Sequence, residues 1–466
     1  MFAQLIGSIN TAFYSYVLVL LLVAGGLYFT IRTKGAQFTM LGEQIRAVME
    51  KPVDGKGVSS FSALMVSTAS RVGTGNIIGV STALCIGGFG SVFWMWVIAL
   101  IGCASAFVES TLAQIYKKRG ENGCYGGPAY YIETALKCRP LAIVFSVLLI
   151  LTYGVGFNML ASYNLQSTFS SYNFYNPTVS PWIIGGVLAV LVAYCLFGGG
   201  SRLLKVTGVL VPVMGVAYLL IALIIMLLNA KALPTVFSTI FSEAFDFRAI
   251  LGGFSGSCLL FGIKRGLFSN EAGVGSAPNA SASAEISHPA KQGLVQMLSV
   301  FIDTILVCSA TAFMCMCSGV EPAKALSGAP YVQASLSATL GGFGPIFITI
   351  AMMLFAFTTL LGNLYYVNQA FSHILKTTPS KHFNRVYYLI ASGLIFVGAG
   401  LSADLLWDLA DLMMGLMALI NMPVILYLGR YAFRALSHYK SQRKNGTSPV
   451  FHARDIGLSE NLDYWQ

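Results

Sequence analysis

Two short stretches carry residue types suited to holding a small charged ligand in apolar surroundings. The first, RVGTGN at 71–76, lies near the middle of an apolar run at 59–84. The second, KRGLFSNEAGVGSAPNA at 264–280, lies inside an apolar run at 249–284. Each glycine costs a continuous helix about 1 kcal/mol relative to alanine, so both runs are expected to break. In a bilayer the freed N–H and C=O groups need partners other than lipid, and such a break is tolerated where it lines a cavity. A half-helix that starts at a break aims N–H groups and a positive dipole end at it, which suits a carboxylate. One that ends there presents bare carbonyls, which suit Na⁺ or an ammonium group. A zwitterion accompanied by Na⁺ uses both ends.

The two stretches are related to each other. Setting Arg71 against Arg265 also aligns Asn76 with Asn270, Gly79 with Gly273 and Val80 with Val274. Five spans separate them, which inverts the second relative to the first. Paired interrupted spans at matching positions of two halves point to a transporter binding site. Arg71, Lys264 and Arg265 are basic residues within apolar runs, a costly placement that calls for internal partners or a cavity. Arg71 and Arg265 are expected to pair with acids or backbone carbonyls beside the breaks, with Glu109, Glu271 and Asp303 as candidate acids. The other readings are that these arginines bind a substrate carboxylate and that Asp303 couples protons. Asp404, Asp408 and Asp411 are expected to form a solvated face at the start of the last helix.

The elements that must position these residues are membrane spans. Hydrophobic residues make up 56% of the 466, charged residues 10%, and mean hydropathy is +0.72. Soluble domains carry roughly a quarter of their residues charged. Apolar runs fall at 11–31, 59–84, 89–116, 140–170, 182–197, 205–228, 249–284, 292–318, 336–372, 386–401 and 405–429. Eleven spans in an all-α membrane protein follow, forming one transporter domain over 1–431 and a basic tail over 432–466. The net charge of +10 gathers in alternate loops and in the tail, which argues against nucleic acid and for positive-inside topology. The N-terminus is then outside and the C-terminus cytoplasmic, with the tail against anionic lipid. The nine cysteines include no CxxC pair and read as apolar filler. The spans offer no nucleophile–base pair and no metal triad, which argues against an enzyme. One inverted pair of breaks is not the repeated ring of a channel.

With these residues the sequence resembles the alanine or glycine:cation symporter family. The resemblance rests on RVGTGN at 71–76, GGPAYYIE at 126–133, KRGLFSNEAGVGSAPNA at 264–280, FIDTILVCSATAF at 301–313 and FAFTTLLGN at 355–363. It implies a leucine-transporter-like fold: a 5+5 inverted repeat (59–228 and 249–429) preceded by one extra helix at 11–31. It also implies Na⁺-coupled uptake of a small neutral amino acid such as alanine or glycine across a bacterial or archaeal cytoplasmic membrane, with no obligate protein partner. H⁺-coupled and uncoupled transport are the alternatives within the same fold.

Carried over by position, the substrate site is Gly73, Thr74, Gly75 and Asn76 at the first break and Phe268, Ser269 and Asn270 at the second. Ala161, Thr359 and Asn363 complete it, with Phe268 as the cap. Sodium is expected between the carbonyls of Ala69 and Val72 and the hydroxyls of Thr358 and Thr359. Two positions depart from the family pattern. Ala161 stands where members often have Gln, and Asn363 where many have Trp. Both changes are expected to enlarge the pocket and change its polarity, which leaves room for glutamine or another larger neutral substrate.

Overall fold

A computed structural model describes residues 2–52, 57–120, 123–247, 250, 257–458 and 462–466. Eight helices among the described residues are long and apolar enough to cross a membrane. They are Ile6–Arg32, Ser91–Ile115, Arg139–Ser171, Ser180–Phe197, Gly199–Leu228, Ala290–Met316, Phe343–Leu375 and Ala403–Lys444. Each falls on an expected run. Ser91–Ile115 has 72% of its most apolar stretch buried, whereas Gly199–Leu228 has only 28%. The first is therefore a central strut and the second faces outward, although both are strongly hydrophobic.

The other three expected runs differ. The run 59–84 is two helices, Ser60–Arg71 and Gly75–Gly87, as the glycines require. The start of the run 249–284, at 249 and 251–256, lies outside the described residues. Its described part is the helix Cys258–Asn270 followed by turns and a short helix Pro278–Ser281. The run 386–401 is the 18-residue helix Lys381–Gly398, whose first turns carry Lys381, His382 and Arg385.

Two boundaries need correction. The run 336–372 joins two helices, Ala329–Leu340 and Phe343–Leu375, separated at Gly341, where φ is +60°. The last helix does not stop at 429 but continues to Lys444, so residues 432–444 are helical.

The alignment of the two breaks also shifts. Ser60–Arg71 is capped by Ser59, whose side chain accepts from Ser62 N, and Cys258–Asn270 by Ser257, which accepts from Leu260 N. Superposing these caps matches Arg71 with Ser269 rather than with Arg265. Arg71 ends its helix, while Arg265 lies a full turn inside its own. The second break is at Glu271–Gly275, where Glu271, Gly273 and Gly275 have φ of +53°, +83° and +91°. Glycine takes this conformation without strain, but a glutamate does so only where its surroundings hold it.

Close backbone approaches fix the helices around the breaks. A Cβ on Gly362 would lie 2.7 Å from Ser70 N, so only glycine lets Phe343–Leu375 reach the first break. A Cβ on Gly262 would lie 2.5 Å from Ser91 O, where Cys258–Asn270 crosses the central strut. Small residues at such crossings are a general device of membrane helices. Wider π-type turns at Gly75–Gly79, Ile150–Gly156 and Phe301–Cys308 lie beside the site, a feature often found at functional positions.

Candidate functional site

Helix Ser60–Arg71 ends because Val72 turns to ψ 90° and Gly73 follows. Asn76 then staples the gap. Its Oδ1 accepts from Gly73 N at 2.8 Å, and its Nδ2 donates to Asp303 Oδ1 at 2.8 Å. Ser269 donates to Asp303 Oδ2 at 2.7 Å, and Thr304 to the same oxygen at 2.8 Å. The buried Asp303 carboxylate therefore ties the first break to the end of the second broken helix.

A small enclosed cavity of about 20 Å³ lies between the breaks, enough for about one water. It is bounded by Ser70, Arg71, Gly73, Thr74 and Gly75 from the first break and by Phe268 and Glu271 from the second. Phe157, Leu160 and Thr359 close the remaining sides. Thr359 Oγ1 is buried without a hydrogen-bond partner among the described residues and lies over Gly73. Thr74 Oγ1 accepts from Asn164 Nδ2 at 3.0 Å.

Of the expected substrate residues, Gly73, Thr74, Gly75, Phe268 and Thr359 reach the cavity wall. Asn76 and Ser269 stand just behind it in the Asp303 network. Asn270 faces the backbone of the second break, where its Oδ1 accepts from Ala272 N at 3.0 Å. Ala161 is buried but does not line the cavity, and its neighbour Leu160 does. Asn363 also lies off the cavity: its Oδ1 accepts from Ser70 Oγ at 2.7 Å, and its Nδ2 donates to Asn158 Oδ1 at 3.0 Å. The expectation that these two residues widen the pocket does not hold at those positions, because helix rotation turns both elsewhere.

Of the expected sodium set, Ala69 and Val72 are buried at the end of the first half-helix. Thr358 donates back to Leu354 O at 2.9 Å and lies against Met214 Sδ, so Thr359 is the threonine turned toward the break.

Three expectations about charge are corrected. Asp411 is not on a solvated face but fully buried; Asp404 is exposed and Asp408 partly so. The Asp411 carboxylate receives Lys264 Nζ at 2.7 Å and Arg265 Nη2 at 3.1 Å. Arg265 thus pairs with an acid from the last helix, not with Glu109, Glu271 or Asp303. Arg71 pairs with none of the three through a hydrogen bond among the described residues; its Nη1 donates to Gln296 Oε1 at 2.9 Å. Glu109 instead accepts from Gly273 N at 3.3 Å and from Asn421 Nδ2 at 2.9 Å, bracing the second break from behind.

The side-chain reading also missed an aromatic stack. Phe157 and Phe268 have ring centroids 4.8 Å apart, Phe268 and Trp407 4.8 Å, and Arg265 lies 4.3 Å over Trp407. Beyond Trp407 and Arg265 is a second, open cavity of about 560 Å³ that Asp404, Asp408 and Lys324 also line. The stack separates the two cavities. Phe157 and Leu160 are three residues apart and so share a helix face, a signal the sequence carries without saying which face is turned inward.

The sequence profile of the sodium:alanine symporter family matches residues 1–453. The amino-acid carrier protein AlsT of Bacillus subtilis (strain 168) is 44% identical over 96% of this chain and 94% of its own length. The "probable sodium/glutamine symporter GlnT" of the same organism is 40% identical over 99% of this chain and 96% of its own. The crystal structure of MhsT in complex with L-phenylalanine superposes with a TM-score of 0.55 at 15% identity. It covers 87% of this chain and 92% of that one, which shows a shared fold.

Proposed function

Because the chain belongs to the sodium:alanine symporter family, a multi-pass membrane transporter and not an enzyme, we propose that it carries a small neutral amino acid such as alanine or glycine inward with Na⁺. The observation that supports this most directly is the enclosed cavity between two broken helices, with Thr74 and Thr359 on its wall and Phe268 over it. In this reading Thr74 and Gly75 meet the polar end of the substrate and the Phe157–Phe268–Trp407 stack closes over it. Na⁺ sits between the Ala69 and Val72 carbonyls and the Thr359 hydroxyl, with Thr358 adjacent. Neutral oxygens suit a hard monovalent cation. Two five-helix repeats rock about this site, with the helix at 11–31 outside the repeat, the N-terminus outside and the C-terminus cytoplasmic.

Glutamine is the second reading, favoured by the likeness to the glutamine symporter named above. The bulk of Phe157 and Leu160 on the cavity wall favours the smaller substrates. Uptake of labelled alanine, glycine and glutamine into proteoliposomes, with and without an inward Na⁺ gradient, tests both. Uptake of none of the three refutes the substrate class, and uptake indifferent to Na⁺ refutes the coupling.

A further inference from the structure

Arg71 is 2% exposed, and its Nε and Nη2 have no hydrogen-bond partner among the described residues. Its remaining nitrogen is held by Gln296, whose Nε2 in turn donates to Ser67 Oγ at 2.9 Å. The guanidinium is therefore held in place by one nitrogen while two others are left without acceptors, on the wall of the central cavity. A buried cation in that state is unfavourable unless something completes it. Across the same cavity stands Glu271, held in its left-handed conformation at the second break and accepting from Ser276 Oγ at 2.6 Å.

The other two buried acids nearby are not on the cavity wall. Glu109 is engaged by Gly273 N and Asn421, and Asp303 by Asn76, Ser269 and Thr304. The first break has also spent one of its own donors, since Gly73 N is taken by Asn76.

We propose that Arg71 and Glu271 clamp the two ends of a zwitterionic substrate, the guanidinium taking the carboxylate through its free edge and the glutamate taking the ammonium group. The planar guanidinium offers parallel N–H donors that match a carboxylate. This deepens the amino-acid reading above and rests on it.

Competition against labelled L-alanine separates the two. Wild-type uptake of alanine tests the transport reading alone. L-Alaninamide, which lacks the carboxylate, is expected to compete at least about 30-fold more weakly than L-alanine, the usual scale for losing one partner of a buried charge pair. In Arg71→Gln the alanine-to-alaninamide ratio is expected to fall to within about 3-fold, because alanine itself binds more weakly. In Glu271→Gln that ratio is expected to persist, while the preference for alanine over L-lactate, which lacks the amine, collapses. A full alanine-to-alaninamide ratio in Arg71→Gln overturns the proposal. If that variant does not fold, Arg71→Lys keeps the charge without the fork and reads the same ratio. Failure of both to fold places the guanidinium in the scaffold and also overturns it.

A different observation carries a second inference. Beyond the last helix the chain folds back across the end of the bundle that holds the starts of both Ser60–Arg71 and the hairpin Lys118–Gly120 and Gly123–Tyr125. Trp465 Nε1 donates to Gln114 O at 2.8 Å, and its ring packs on Ala63, Ala284 and Ile286. Lys118 Nζ meets Asp463 at 3.0 Å, and Lys117 Nζ lies 4.6 Å from the Tyr464 ring centroid. The family profile ends at 453, so these contacts come from residues beyond it.

The geometry points to residues 462–466 as a latch that pins the first half-helix to Ser91–Ile115 and slows opening of the cytoplasmic side. Trp465→Ala, and separately removal of 462–466, are expected to raise the initial uptake rate several-fold, with the Na⁺ dependence unchanged. Unchanged or slower uptake in both variants overturns the latch.

Discussion

Gly73→Ala isolates the role assigned to Thr359. Gly73 does not adopt a positive φ, so alanine suits its backbone and the effect is steric alone. The new Cβ would lie 2.1 Å from Thr359 Oγ1, 3.2 Å from its Cβ and 3.4 Å from its Cγ2. Only the hydroxyl clashes severely, and threonine in a helix has two accessible χ1 rotamers. Rotation relieves the contact and swings the oxygen away from the break, so the protein should fold. Losing one oxygen from a charged ligand costs about 1.5–3 kcal/mol by analogy with hydrogen bonds to charged groups. That is roughly a 10- to 150-fold rise in the Na⁺ concentration for half-maximal uptake. Thr359→Ala should give a similar rise, and the double variant should be no worse than either single one, since all three remove the same oxygen. Na⁺ dependence within about 3-fold of wild type in both single variants would refute the placement of sodium at Thr359.

Thr74→Val keeps the shape of the cavity wall but removes the hydroxyl that Asn164 holds; uptake should be abolished with expression intact, and unchanged kinetics would count against the site. Leu160→Ala should open the cavity and shift competition toward glutamine relative to alanine, whereas Ala161→Gln should shift it little, since Ala161 lies off the cavity. Asp411→Asn leaves Lys264 and Arg265 without their shared acid and should lower stability by about 3–5 kcal/mol, read as earlier thermal aggregation in detergent; Asp404→Asn, at an exposed site, should shift it little. His288, between two spans, is buried and its imidazole is pushed down to about 2, first by burial and then by His438 and Lys291. The unfolded chain therefore binds the extra proton at pH values below about 6.5, so stability should be flat above that pH and fall as pH drops below it, by up to about 1.4 kcal/mol per unit. His288→Phe should flatten the acid limb of a thermal-stability profile.

Composition and periodicity were enough to place the long helices, because an apolar run of span length has few other stable states in a bilayer. They were also enough to place the first break, since Gly73 and Gly75 flank a threonine in mid-run. The second break was displaced because sequence alignment follows residue identity, and Arg71 and Arg265 are identical without being equivalent. Their helices start from serine caps that match Arg71 with Ser269. A glutamate in a left-handed conformation is the last thing a propensity argument would put at a break, yet Glu271 is where the helix ends.

The charged residues were the hardest to read, and for one physical reason. Hydropathy says that a buried charge needs a partner but not which one, because partners come from helices far apart in sequence. Asp411 looked like one of three evenly spaced surface acids. Asp404, Asp408 and Asp411 are separated by four and then three residues and so share one helix face; Asp404 lies at the exposed start of that face, and Asp411, two turns further along it, is inside the bundle. Once it is buried, Lys264 and Arg265 have their carboxylate, and Arg71 alone of the three intramembrane bases has none bonded to it among the described residues, with two of its nitrogens left without acceptors. The same logic that settles the first two cations therefore directs attention to the third. Its partner is expected to arrive with the substrate, and the alanine-to-alaninamide ratio is where that expectation meets a measurement.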